Sequence, residues 1–162
     1  MLSLVFSKSA EDPFNEAIAR WVMERTHMHR VLIPRTYTAI GVIRVGSQQE
    51  PKVIAGVLFH DFSHVGSGAR IEVSMAADDP CWARRGVISA ILHYPFVQLG
   101  CHVLCATTDR TNRRTRKFLQ GLGFKERGII PNRPYADDTV IYALRREDAA
   151  RWVHFPTEQV AA

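Results

Sequence analysis

Cysteine is scarce. Cys81, Cys101 and Cys105 are an odd number and contain no C-x-x-C pair. That excludes the disulfide framework of a small secreted domain and leaves free thiols, as expected in the reducing cytoplasm. Long apolar runs are lacking too. The longest, Val53-Ile54-Ala55-Gly56-Val57-Leu58-Phe59, is far too short to cross a bilayer, so no membrane partner is expected. Residues 1–8 have no basic stretch ahead of a long apolar core, so no signal peptide is read there. Internal repeats, linkers and low-complexity segments are absent. Acidic residues are outnumbered, 16 against 21 Lys and Arg, which leaves a net charge of +5.

What is present is the composition of an ordinary globular chain: 162 residues, 46% hydrophobic, 23% charged. One domain with a real core is expected. The basic excess is mostly arginine, whose planar fork suits bidentate phosphate contacts. It fits nucleic acid, a small phosphorylated cofactor, or a solvated basic surface.

Turn chemistry and periodicity divide the chain. Residues 2–7 read as a strand. Asp12-Pro13 is a helix start, and Phe14, Ile18, Trp21 and Val22 share one face of a helix over 13–29. Pro34 breaks that pattern. Strands are expected over 37–45 and 52–62, joined through Gly46–Pro51, with a third strand over 71–77 after Gly66-Ser67-Gly68. A helix follows over about 84–97. Pro95, which cannot donate a hydrogen bond, should kink it, and Gly100 should cap it. Next come a strand over 102–108, a helix over about 112–121 stopped by Gly121 and Gly123, and strands over 124–130 and 139–145. Residues 147–162 read as a tail with Trp152 and Phe155. The layout is one mixed sheet with helices on it, so a domain over 1–146 is expected.

Residues 70–124 hold the chemistry. There each of two strands leads to a polar helix start, where unpaired N–H groups and the helix dipole favour anions. Alternation over Ile71–Ala76 puts Glu72 and Ser74 on one face and Ile71, Val73 and Met75 on the other. A mid-strand carboxylate of this kind either lines a cleft as a general base or pairs with an arginine. Arg84-Arg85-Gly86 could cradle a pyrophosphate. The run Asn112-Arg113-Arg114-Thr115-Arg116-Lys117 could hold phosphate, touch nucleic acid, or be a solvated helix face. His60-Asp61-Phe62-Ser63-His64 reads as strand end and turn, so no metal is expected, and no Ser-His-Asp or Cys-His arrangement stands out.

In this order the pieces resemble the GNAT superfamily of acyl-CoA N-acyltransferases over about residues 53–146. The nearest subgroup is that of ribosomal-protein alanine acetyltransferases and their phage-encoded relatives. Asn112-x-x-Thr115 followed by Phe118-Leu119-Gln120-Gly121-Leu122-Gly123-Phe124 is similar to the family's "N-x-x-S … LGF" block, and Trp82–Gly86 and Asp138 with Tyr142 also fit. The resemblance implies an α/β fold of α+β type: a single domain with a mixed, mostly antiparallel sheet, splayed at its centre, and helices on both faces. It implies an N-acetyltransferase using acetyl-CoA, with Ser74, Met75 and Ala76 along the pantetheine arm. Arg84, Arg85, Gly86, Val87, Ile88 and Ser89 would lie at the pyrophosphate, with Asn112 and Thr115 on the CoA arm.

Glu72 falls where some members keep a base, and water, Ser74 or Tyr142 could protonate the leaving thiolate. Two departures follow. Ile88 stands where the family keeps a small residue, so its bulk is expected to hinder phosphate approach. Leu119 stands where many relatives carry a tyrosine acid. The acceptor would be an amine on a protein N-terminus, a lysine or a small molecule, and a homodimer is open. The alternatives are a nucleic-acid-binding module on a degenerate acyltransferase scaffold, or a structural partner using Trp152 and Phe155.

Overall fold

The fold is described by a computed structural model over residues 1–6, 11–26, 36–48 and 50–155. In chain order the elements are β1 (Leu2–Phe6), α1 (Pro13–Arg25), β2 (Tyr37–Arg44), β3 (Lys52–Val65), β4 (Gly68–Ala77) and α2 (Arg85–His93). Then come β5 (Val103–Asp109), α3 (Arg113–Leu122), β6 (Lys125–Ile130), β7 (Thr139–Arg145) and α4 (Arg146–Ala149). The strands make one seven-stranded sheet in the order β1-β2-β3-β4-β5-β7-β6. Every neighbouring pair is antiparallel except β4–β5, which is parallel. This is the mixed, mostly antiparallel α+β sheet expected.

The two faces are covered differently. Asp12 caps α1, accepting the Phe14 N–H at 3.0 Å, with Pro13 in the first turn as its sequence implies. The helix lays Ile18, Ala19, Val22 and Met23 on Ala39 and Leu58. It sits close because β2 and β3 offer glycine beneath it: a Cβ on Gly56 would come within 2.6 Å of Val22 Cγ2. Buried Asn15 locks the register by accepting the Ala39 N–H at 2.7 Å. The expected residues 27–29 of this helix, and Pro34, lie outside the described residues. The other face carries the larger core, where Val57, Phe59, Ile71 and Val73 meet Ile88, Ile91 and Leu92 of α2 and Leu119 and Leu122 of α3.

Several boundaries differ from the sequence reading, including the start of β4 at Gly68 rather than at 71. Strand β3 runs on to Val65, because a bulge between His60 and Ser63 lets pairing resume instead of ending it. Helix α2 ends at His93 and opens into a wide turn over Tyr94–Gln98, in which the Leu99 N–H reaches the Tyr94 carbonyl at 3.0 Å. That is the kink expected from Pro95. The stretch after 146 begins with α4 and places Ala149 and Val153 in the core, so apolar burial ties it down as far as the described residues go.

Candidate functional site

The parallel ladder between β4 and β5 is short. It pairs Arg70 with Val103, Ile71 with Leu104 and Glu72 with Cys105, and then stops. Beyond it, Val73–Ala77 of β4 and Ala106–Asp109 of β5 run on without pairing to each other. Strand β4 stays bound to β3, and β5 to β7. The sheet is therefore split at its centre, and the gap-side N–H and C=O groups of Val73–Ala77 have no strand partner. Edge groups of this kind are a template for an extended polar ligand. Of Ser74, Met75 and Ala76, Met75 turns its backbone groups to the gap while Ser74 and Ala76 turn theirs to β3, and none of the three is fully buried.

At the closed end of the split, strand register builds a polar row on the α1 face. Tyr37 of β2 stands opposite His60 of β3, His60 opposite Glu72 of β4, and Glu72 opposite Cys105 of β5. Burial raises the Tyr37 hydroxyl above its usual range. Burial, helped by the Glu72 charge, does the same to the Cys105 thiol. The row lies where alternation placed Glu72 and Ser74. No arginine pairs with Glu72 among the described residues, and Arg70 instead gives its Nε to Ser63 Oγ at 3.0 Å.

The structure corrects one reading here. A Ser-His-Asp arrangement is present: His60 Nδ1 lies 2.5 Å from Asp61 Oδ2, and His60 Nε2 lies 2.9 Å from Ser74 Oγ. The His60 side chain is 6% exposed and that of Asp61 62% exposed. Asp61 has φ +52°, a left-handed conformation, and sits at the bulge that turns its carboxylate back onto the ring. The group escapes a linear reading because Ser74 is brought in only by the β3–β4 hairpin. The usable signal was the turn at Gly66–Gly68: folding the chain there sets Leu58 opposite Ser74, one step along the same face from His60.

His60, Asp61 and Glu72 also bring one donor atom each within 4.8 Å of one another. Both ring nitrogens of His60 are already engaged, so a cation would first have to displace Asp61 or Ser74.

Tyr142 is placed apart. It is fully buried on the opposite face of the sheet, paired with Ala106, and its hydroxyl accepts from Arg116 Nε at 3.0 Å. The helix starts divide likewise. At α2, the N–H groups of Arg85, Gly86 and Val87 have no acceptor within the helix, and the Arg84 cap makes no side-chain bond. Open space surrounds Gly86. A surface cavity of about 170 Å³ beside this start is lined by Met1, Leu2, Arg44, Cys81 and Arg84; of its two arginines, Arg44 is paired with Asp79 at 2.5 Å. Arg85 instead turns to the Arg151 carbonyl at 2.6 Å, and Ser89 Oγ donates to the Trp152 carbonyl at 2.7 Å.

Ile88 does not obstruct the helix mouth. Its side chain is 3% exposed and packs among Trp82, Ile91 and Leu122, and its N–H is spent on the Arg84 carbonyl. The fourth residue of a helix faces the sheet here, so its bulk points away from any anion at the N-terminus. At α3, Asn112 Oδ1 accepts the Thr115 N–H at 3.1 Å and so caps the helix. Arg113, Arg114 and Lys117 are exposed, whereas Arg116 is turned to Tyr142 and Glu126. Leu119 is buried in the core. Among the described residues no helix is long and apolar enough to cross a membrane.

No family model matches the sequence, and no curated protein does. Solved structures match the fold. The ribosomal-protein-S5-alanine acetyltransferase from Vibrio fischeri superposes with TM-score 0.63 at 16% identity, covering 93% of this chain and 94% of that one. Mutant forms of the spermidine/spermine N-acetyltransferase SpeG from Vibrio cholerae give 0.65 at 13% identity, covering 93% and 98%. The chain thus has the fold of these acetyltransferases, which is the fold the GNAT resemblance implies.

Proposed function

We propose that the protein is an N-acyltransferase that moves an acetyl group from acetyl-CoA directly to an amine. The observation that carries this reading is the split after Glu72–Cys105, with an unpaired strand edge along one side and a polar, titratable row at its closed end. An acyl-CoA suits these features. Its amide-rich arm matches the free edge at Met75, between Ser74 and Ala76. Its pyrophosphate matches the first N–H groups of α2 together with Arg84 and Arg44. Asn112 and Thr115 lie at the second helix start, on the opposite side of the split. When bound, acetyl-CoA supplies the activated thioester.

The chain's part is to orient that group and to move protons. Glu72 accepts the first proton of an ammonium acceptor, which frees its lone pair. The gap-side backbone N–H of Met75 stabilises charge on the acyl oxygen, whereas that of Ala76 faces β3. Acceptor classes are bounded by the row itself. Carboxylates at Asp61 and Glu72 favour a cationic amine, as in a polyamine or a protein N-terminus. The nucleic-acid reading weakens, because Arg116, in the middle of the basic run, faces inward to Tyr142 and Glu126.

Ligand linkage tests the reading. Acetyl-CoA at concentrations far above its Kd should raise Tm. CoA thiol should then be released with spermidine or with a peptide starting in alanine. A Tm that acetyl-CoA leaves unchanged, beside one that RNA or DNA raises, would sink it.

A further inference from the structure

We propose that Ser74, His60 and Asp61 form a proton relay that takes the second proton from the acceptor amine and returns it to the departing sulfur. The proposal rests on the acyl-transfer reading above and adds two residues to it.

An ammonium acceptor loses two protons on becoming an amide, and one carboxylate can hold only one of them. Glu72 is therefore insufficient alone. The second acceptor is built beside it. A carboxylate offers only acceptors, so the His60 nitrogen facing Asp61, Nδ1, is the protonated one. Nε2 is then a lone pair, and it accepts the Ser74 hydroxyl. Such a ring is a base that works through the serine oxygen. The positive charge it gains is met by Asp61 at Nδ1 and by Glu72 directly across the strand pair. The other titratable groups of the row are Tyr37 on β2 and Cys105 on β5, and burial holds both toward their neutral forms. Arg70 is the nearby cation, and Ser63 holds its Nε away along β3.

In the transfer step the amine nitrogen forms a bond to the acyl carbon, and its remaining extra proton passes to Ser74 Oγ while the serine proton passes to His60 Nε2. The carbon–sulfur bond then breaks with its electron pair on sulfur. The imidazolium returns a proton through the same hydroxyl, giving the thiol. This supplies the acid that Leu119 cannot. Ser74 touches the reacting atoms, whereas His60 and Asp61 act through it as positioning residues.

Three measurements test the relay. The first needs no acceptor: long-range ¹H–¹⁵N NMR on the free protein should show His60 protonated at Nδ1 at neutral pH. Asp61→Asn should lose that tautomer. Asn also tolerates the left-handed backbone, so this variant should fold. A wild-type ring protonated at Nε2 would overturn the relay whatever the activity.

The second is kinetic, with acetyl-CoA and spermidine or the alanine peptide. His60→Gln should lower kcat on the order of 10²-fold or more, with the acetyl-CoA Tm shift kept. The dependence of kcat on pH should change in the same variant. Unchanged kcat and pH profile in both His60→Gln and Asp61→Asn would overturn the relay and leave the acyl-transfer reading standing. The third is coupling: His60→Gln with Ser74→Ala should be no slower than Ser74→Ala alone, and additive losses would overturn a shared path. A wild-type protein with no acetyl-CoA Tm shift overturns the acyl-transfer reading, and the relay with it.

Discussion

Strand β4 presents two faces that differ by one residue of register and share almost nothing else. Ile71, Val73 and Met75 meet α2 and α3 in a mostly apolar core, where the Tyr142 hydroxyl accepts from Arg116. Glu72 and Ser74 look the other way, onto a row of titratable side chains contributed by neighbouring strands. The difference follows from what covers each face. Helix α1 lies over β2 and β3, held close by Gly41 and Gly56, and leaves the end of the sheet at His60 and Glu72 to polar residues. Packing thus fixes the strand from one side while the other side is free to do chemistry.

The largest effect should come from the polar face. Glu72→Gln keeps size and hydrogen-bonding reach but cannot take a proton, so kcat should fall on the order of 10²–10⁴-fold with little change in Tm. The loss should shrink at high pH, where more of the amine is already neutral. A variant with lower Tm and near-normal kcat would show that Glu72 only stabilises, and the contrast between the faces would collapse.

The apolar face should respond in the opposite currency. Ile88→Ala removes a buried side chain from the core that also holds Trp82, Ile91 and Leu122, and should cost about 2–5 kcal/mol of stability. Acetyl-CoA affinity of the folded fraction should stay as it was. A tighter Kd would restore the idea that this residue crowds the phosphate site.

These two residues also show how much the sequence disclosed. Alternation alone assigned Glu72 to a polar face, and the strand–helix order from Arg70 to Phe124 was readable because each helix start carries its own turn chemistry. The split in the sheet followed only from resemblance, since nothing local says where a parallel ladder stops. His60 and Asp61 were misjudged because a bulge looks like a strand end in one dimension, and because His60 meets Ser74 through a hairpin. Ile88 was misjudged because a position in a motif does not tell which side of the helix faces the sheet.

Tyr142→Phe measures how separate the faces are. Its hydroxyl accepts from Arg116, and losing it should cost about 1–3 kcal/mol, reduced by water where Arg116 is part-exposed. Activity per folded molecule should persist. A fall in kcat with an unchanged KM would instead connect Tyr142 to the reacting atoms across the sheet.

The smallest effect lies off both faces, where the β5 arm of the split is tied at its tip. Asp137 Oδ2 accepts from the Thr111 hydroxyl at 2.6 Å and from the Thr111 N–H at 2.8 Å, joining the chain after β5 to the loop before β7. These bonds, with the Thr111 hydroxyl first, hold its carboxyl at about 2, below its ordinary 3.8. A depressed folded-state value means that the charged form is favoured by folding. The stabilisation is therefore complete above about pH 4 and is lost as pH falls toward about 2. Asp137→Asn should lower Tm slightly at neutral pH and flatten the dependence of Tm on pH across that window. If the tie matters only to the β5 arm, hydrogen exchange should quicken over Ala106–Asp109 and leave Glu72 and Ser74 unchanged. Faster exchange at Ser74 would show that the two sides of the split open together, and that the polar row depends on the rim as well as on the core behind it.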